Sequence, residues 1–188
     1  MDVKEKILDG TMQVFNEKGL KFTMDDVAKR VGMSKKTIYT VFRDKETMFI
    51  SMVDYVFDSI KEEEQKILED ETLPTVEKIR LILGVLPERY KDVDYRKLYQ
   101  LKDKYPAINK QVENRLETGW EITISLIEQG IEEGVVRNNI HIPIVKLMME
   151  SVLEHSFQRD VLIQNQINYM DALEEFVNIV VDGIAVRE

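Results

Sequence analysis

Five polar side chains stand close together between positions 35 and 40. They are Lys35, Lys36, Thr37, Tyr39 and Thr40. Ile38 and Phe42 are one helical turn apart, so a helix through this stretch would bury them and turn the polar set towards solvent. Ammonium groups bind phosphates and donate to guanine, and hydroxyl groups serve either partner. A short helix that carries this set suits the major groove of duplex DNA, which is about 12 Å wide.

The residues just before this stretch predict a second helix that would position it. Thr23 can cap the start of that helix, and Val27 and Ala28 lie on its buried face. Gly32 follows where a left-handed backbone costs least, and Ser34 can cap the next helix. This spacing predicts a helix-turn-helix that binds duplex DNA. The alternative is an ordinary pair of amphipathic helices with solvated lysines.

These residues resemble the DNA-binding domain of TetR-family transcriptional regulators. The resemblance covers about residues 3–55 and rests on Gly19, Thr23, Val27, Ala28, Gly32, the run from Ser34 to Tyr39, Phe42, Lys45 and Glu46. It implies phosphate contacts by Thr23, Ser34, Tyr39 and Lys45. It implies base-edge contacts by Lys35, Lys36, Thr37 and Thr40, with Tyr39 sharing in this role. Asp25 stands where some relatives carry a basic or polar base-contacting residue, and here it is better suited to capping.

A long helix is predicted to begin at Lys45. Asp44 can cap it, and the free N–H groups of its first turn, together with the Lys45 ammonium group, form a site for one phosphate. Apolar residues continue at helical spacing through Met52 and Val56 to about Leu68. The helix should therefore run as a strut from the DNA-binding part into the rest of the chain.

Composition favours a protein with two parts of different charge. Residues 1–50 carry ten Lys or Arg against eight Asp or Glu, whereas residues 51–188 carry sixteen against twenty-seven, within a net charge of −9. A short basic surface on the first part can still bind phosphates. The absence of cysteine excludes disulfides and thiolate chemistry and favours the cytoplasm. We expect no membrane segment, because there is no long apolar run.

Catalysis is not indicated. His141 and His155 are the only histidines. Glu150, Glu154 and His155 make a poor metal group, because neighbouring positions on a helix point about 100° apart. No nucleophile elbow or phosphate-binding glycine loop is present. We therefore predict no enzymatic activity, no metal and no cofactor.

The remainder of the chain is expected to bind a small molecule. Tyrosines cluster around short helical pieces, and a long helix is predicted from Ala107 to Glu133 with Trp120 on its apolar stripe. The expected effector pocket is lined by Tyr90, Tyr95, Tyr99, Trp120, Ile124 and Met148. Such a lining favours an apolar or aromatic effector. Buried tyrosines bonded by their hydroxyls are also ordinary core residues, so both interpretations stay open.

The last two predicted helices run from about Pro143 to Phe157 and from Gln166 to Val186. Together they carry more apolar surface than one partner helix needs, which favours a homodimer with a four-helix bundle at its interface. The expected interface residues are Val152, Leu173, Val177 and Val181. An intramolecular core is the alternative.

The sequence thus predicts an all-α protein. Residues 1–47 form a three-helix DNA-binding domain, and residues 48–188 form a larger helical domain for effector binding and dimerisation. The resemblance implies a repressor that binds a near-palindromic operator and is released by its effector. The alternatives are a helical DNA-binding protein without an effector and a small-molecule carrier.

Overall fold

The computed structural model describes residues 2–98, 101–158 and 160–186, and these ranges are mainly helical. The α-helices in them are α1 (Val3–Lys18), α2 (Met24–Val31), α3 (Lys35–Val41), α4 (Lys45–Glu69), α5 (Thr75–Leu83), α6 (Leu101–Lys104), α7 (Pro106–Glu117), α8 (Glu121–Glu132), α9 (Ile142–Gln158), α10 (Val161–Gln164) and α11 (Tyr169–Ile184). Short 3-10 helices lie at Gly19–Lys21, Glu88–Tyr90 and Tyr95–Leu98. The predicted all-α fold is confirmed.

The first three helices form a small bundle in which α1 crosses closely over α2. A capping box starts α1, because the Asp2 carboxylate accepts from the N–H of Glu5 at 2.8 Å and the Glu5 carboxylate accepts from the N–H of Asp2 at 2.9 Å. Gly10 makes the crossing possible. A Cβ at Gly10 would lie 2.2 Å from Cγ1 of Val31, so a larger residue would push the two helices apart.

Helix α4 has 25 residues and joins the small bundle to the rest of the chain. At 1.5 Å per residue it is about 37 Å long. The predicted strut is therefore present, and it ends one residue beyond the expected Leu68. The predicted domain boundary between positions 47 and 48 falls inside this helix. The two parts consequently share a continuous element.

The prediction of one helix from Ala107 to Glu133 was wrong, because the chain turns between α7 and α8. Gly119 has a φ of +78°, in the left-handed region that favours glycine. A Cβ there would lie 2.8 Å from Cε of Lys61, so a larger residue would also have to displace the end of that side chain. The last helix also starts later than expected. Its start is set by Asn168, whose side chain accepts from the N–H of Met170 at 2.7 Å.

Two apolar cores hold the helices together. The first core unites α1 to α4 with α7 and with the segment from Tyr90 to Leu101. The second core lies between α5, α8, α9 and α11. Because α7 packs with the DNA-binding helices, the cores do not follow the predicted division of the chain at residue 47.

The second core contains three of the predicted dimer residues. Val177 and Val181 are 3% and 0% exposed, and Leu173 is also buried. Their side chains pack within the subunit, so the prediction that they contact a second subunit was wrong. Val152 is half-buried on α9. Part of the apolar surplus of α11 is thus used by α5 of the same chain.

Candidate nucleic-acid interface and body cavity

Helix α3 is held by a capped start and a buried inner face. The Ser34 hydroxyl accepts from the N–H of Thr37 at 3.0 Å, and the two hydroxyl oxygens lie 2.8 Å apart. Ile38 and Phe42 are buried in the first core. Gly32 ends α2 in the left-handed conformation, with φ 68° and ψ 34°. The local sequence therefore fixes both the turn and the side of α3 that faces outward.

The outer face of α3 gathers the polar side chains predicted from the sequence. Lys35, Lys36, Tyr39 and Thr40 are exposed, and Thr37 is half-buried. Neither lysine forms an ion pair within the described ranges. The Thr40 hydroxyl donates to the carbonyl of Thr37 at 2.6 Å. Two ammonium groups and a tyrosine hydroxyl thus remain available to phosphates or base edges on one surface.

Thr23 caps α2 at the edge of this surface. Its hydroxyl accepts from the N–H of Asp26 at 3.2 Å and donates to the Asp26 carboxylate at 2.8 Å. Asp26 also receives a hydrogen bond from Lys18. The Lys18 bond, followed by those of Thr23, lowers the pKa of Asp26 to about 2. Asp25 pairs with Lys29 at 2.8 Å, in keeping with a role in the first turn of α2.

The predicted phosphate site at Lys45 was wrong. The Lys45 ammonium group donates to the carbonyl of Leu20 at 2.7 Å and to the Tyr105 hydroxyl at 3.1 Å. It also lies 4.3 Å from the centre of the Phe22 ring. At the start of α4 the Asp44 carboxylate accepts from the N–H of Thr47 at 2.8 Å. A carboxylate at this helix end disfavours a phosphate.

A cavity of about 160 Å³, which we call the body cavity, lies where the two cores meet. Tyr95 and Trp120 line it, as predicted. The cavity wall does not include the other predicted residues Tyr90, Ile124 and Met148. The Tyr90 hydroxyl donates to Asp9 at 3.1 Å, Ile124 is half-buried elsewhere, and Met148 lies on the surface of α9. The position of Tyr99 is outside the described residues.

Several further cavity residues could not be predicted from the sequence. Tyr169 lies beside Tyr95, with 5.0 Å between the ring centres, and burial raises the pKa of both hydroxyls. At the other end of the cavity lie Lys61, Glu64 and Arg115. The body cavity is therefore apolar along most of its wall and charged at one end.

Two other kinds of site are not formed by the described ranges. No group of three or more His, Asp or Glu side chains there could hold a metal ion. No helix in those ranges has both the length and the apolar character needed to cross a bilayer.

Comparison with known proteins relates the first part of the chain to one family. The model of bacterial regulatory proteins of the tetR family matches residues 7–52, which contain α2 and α3. The match covers the first part of the chain, so it is this segment that is similar to the family. The matched residues contain α2, the turn at Gly32 and α3, which together form a helix-turn-helix in this chain.

Several individual proteins are also similar to this chain. The uncharacterized HTH-type transcriptional regulator YvaF of Bacillus subtilis is 24% identical over 184 residues, covering 98% of this chain and 96% of its own. The icaADBC negative transcriptional regulator IcaR of Staphylococcus aureus is 37% identical over 57 residues, or 30% of this chain and 31% of its own. The structure of FadR from Bacillus subtilis in complex with stearoyl-CoA has a TM-score of 0.66 and 16% identity, covering 96% and 98% of the two chains.

Proposed function

We propose that this chain is a transcriptional regulator of the TetR family. It would act as a repressor that binds a near-palindromic operator as a homodimer and leaves it when a small molecule occupies the body cavity. The observation that carries the proposal is the outer face of α3, where Lys35, Lys36 and Tyr39 are exposed together. IcaR is named a negative regulator, which supports repression.

The DNA contacts follow from the placement of the side chains. We assign base edges to Lys35, Lys36, Thr37 and Thr40, with Tyr39 between base edge and phosphate. The hydroxyls of Thr23 and Ser34 lie at the starts of α2 and α3, where they suit phosphate contacts. Lys45 takes no part, because its ammonium group is bound inside the protein.

A homodimer is supported by apolar side chains that the subunit leaves exposed. Ile144, Leu147 and Met148 are exposed on α9, with Leu147 at 56%. On α11, Ile179 is 63% exposed, and nothing lies within 4 Å of the Cβ position of Gly183, one turn further on. A second copy could cover both helices and approach closely at the glycine. We assign the interface to these five residues.

Release by an effector is supported by where the body cavity lies. Its wall includes Met12 and Phe15 of α1 and Phe49 of α4, so an occupant would touch the DNA-binding helices directly. In a dimer the two α3 helices must stand about 34 to 36 Å apart to enter successive major grooves. A ligand that binds better at another spacing lowers operator affinity by that differential affinity. The stearoyl-CoA complex of FadR supports ligand binding in a fold of this kind.

The proposed function is tested by selecting bound fragments from genomic DNA with the purified protein. We expect enrichment of a short near-palindromic site whose half-sites are about one helical turn, 10 to 10.5 base pairs, or a multiple of it, apart. Enrichment of random fragments, with the same affinity for each, would contradict a specific regulator and favour a DNA-organising protein without an operator.

A further inference from the structure

The charged end of the body cavity contains a buried carboxylate with a replaceable partner. Glu64 is buried, with 7% of its side chain exposed, whereas 36% of the Lys61 side chain is exposed. The Lys61 ammonium group lies 2.8 Å from each carboxylate oxygen of Glu64 and also donates to the carbonyl of Gly119. The carboxylate is thus fixed inside, while its cation is on a long side chain that can reach solvent.

The charges around this pair are predominantly negative. The Arg115 guanidinium group is already bound, donating to Asp58 at 2.6 Å and lying 3.7 Å from Asp54. Glu121 is close enough to act on Glu64. Burial, with a smaller contribution from Glu121, raises the pKa of Glu64, and Lys61 opposes this shift. In this part of the described structure, carboxylates therefore outnumber cations.

The rest of the wall favours an apolar body on the ligand. Lining residues follow α4 from Phe49 through Met52 and Val56 to Glu64. These fifteen residue steps correspond to about 22 Å along the helix. The volume of about 160 Å³ is similar to that of an apolar protein cavity, about 150 Å³, that binds benzene. A narrow apolar ligand of modest size would fit without large rearrangement.

We propose that the effector is a hydrophobic cation, such as an amine with an alkyl or aromatic body, whose ammonium group replaces that of Lys61 on Glu64. This inference rests on the proposed role of the body cavity as the effector site. A cation preserves the pairing of the buried carboxylate while Lys61 moves to solvent. An anion would have to draw Lys61 away and leave Glu64 buried without a cation, which is costly.

The experiment compares n-octylamine, octanoate and 1-octanol, which share a chain and differ in the charge of the head group. Binding is followed by the fluorescence of Trp120, the single tryptophan, and by release of the selected operator. We expect octylamine to bind at least about tenfold more tightly than octanoate, as a charge-assisted hydrogen bond would give. If octanoate or octanol binds as tightly and releases DNA, the effector function stands and the cationic inference is overturned. If none of the three binds, the cationic inference is overturned, whereas the proposed function is decided separately by the selection of operator fragments.

Two variants locate the effect at the proposed pair. Glu64→Gln should lose the preference for octylamine over octanol, whereas Glu62→Gln, an exposed acid on the same helix, should keep it. Lys61→Met leaves the buried carboxylate without its cation, so octylamine should raise the melting temperature of this variant more than that of the wild type. A preference unchanged in Glu64→Gln, or equal stabilisation of Lys61→Met by octylamine and octanol, would overturn the proposal.

Discussion

The Lys45 ammonium group donates a 3.1 Å hydrogen bond to the Tyr105 hydroxyl, and this contact joins the first turn of α4 to the residue before α7. The same ammonium group donates to the carbonyl of Leu20, next to the DNA-binding helices. One cation therefore binds groups from both parts of the chain. It lies at a position where the family resemblance implied a phosphate contact.

Replacing Lys45 should change stability and leave the electrostatics of DNA binding unaltered. Tyr105→Phe keeps the ring but removes two hydrogen bonds, the one from Lys45 and the 3.3 Å bond that the Tyr105 hydroxyl donates to the carbonyl of Leu20. We therefore expect a loss of about 1 to 2 kcal/mol in the free energy of unfolding. Lys45→Ala should cost more, because it removes both hydrogen bonds of the ammonium group and the ring contacts. The measurement is denaturant unfolding, combined with the salt dependence of DNA affinity. The slope of log affinity for DNA against log salt concentration should be the same as in the wild type. If this slope were shallower by about one unit in Lys45→Ala, Lys45 would contact a phosphate after all.

Dimerisation should depend on the exposed apolar side chains of α9 and α11 and not on their buried ones. Ile179→Glu and Leu147→Glu place a charge in the proposed interface, so both variants should be folded monomers by sedimentation analysis. Leu81→Glu, at an exposed apolar position on α5, is the matched control and should remain a dimer. Val177→Glu should instead unfold the protein, because that side chain is in the second core. Dimers that persist in Ile179→Glu and Leu147→Glu would place the interface elsewhere.

Acid should weaken the start of α4 through Asp44. Hydrogen bonds from the N–H and hydroxyl of Thr47, and then from Arg43, lower the pKa of Asp44 from 3.8 to about 2. The ionised form is favoured by folding, so its contribution is fully present above pH 3.8 and is lost as the pH falls towards 2. Asp44→Asn keeps a capping side chain without the charge. The difference in melting temperature between wild type and Asp44→Asn should therefore shrink over this window. A difference that is the same at pH 6 and pH 2 would contradict the assignment.

The helix-turn-helix could be predicted from sequence because its determinants are local. Thr23 and Ser34 cap helices within three residues of themselves, and Gly32 ends α2 through its own backbone conformation. Ile38 then fixes the buried side of α3. Each of these features is visible in a window of a few residues, so the exposed set on α3 followed from the sequence alone.

The body could be predicted only in outline, because its details depend on distant contacts. The break at Gly119 involves Lys61, 58 positions away, and the orientation of Lys45 is set by Tyr105, 60 positions away. Val177 and Ile179 are both apolar residues of α11. The sequence does not show which of them lies on the side of the helix that packs against α5. For the same reason the charged end of the cavity at Glu64 was missed. In the sequence, Glu64 looks like any other acidic residue of α4.

Binding of DNA by the outer face of α3 is measured with the variants Lys36→Ala and Tyr39→Ala. Affinity is measured by fluorescence anisotropy for the selected operator and for random duplex, with Lys66→Ala on the exposed side of α4 as the control. We expect Lys36→Ala to lower the affinity for the operator. The preference for the correct base pair at one operator position should fall by about 1 to 3 kcal/mol. The melting temperature of the protein should not change. Tyr39→Ala should also weaken operator binding, and Lys66→Ala should not. Unaltered operator affinity in both α3 variants would contradict the account.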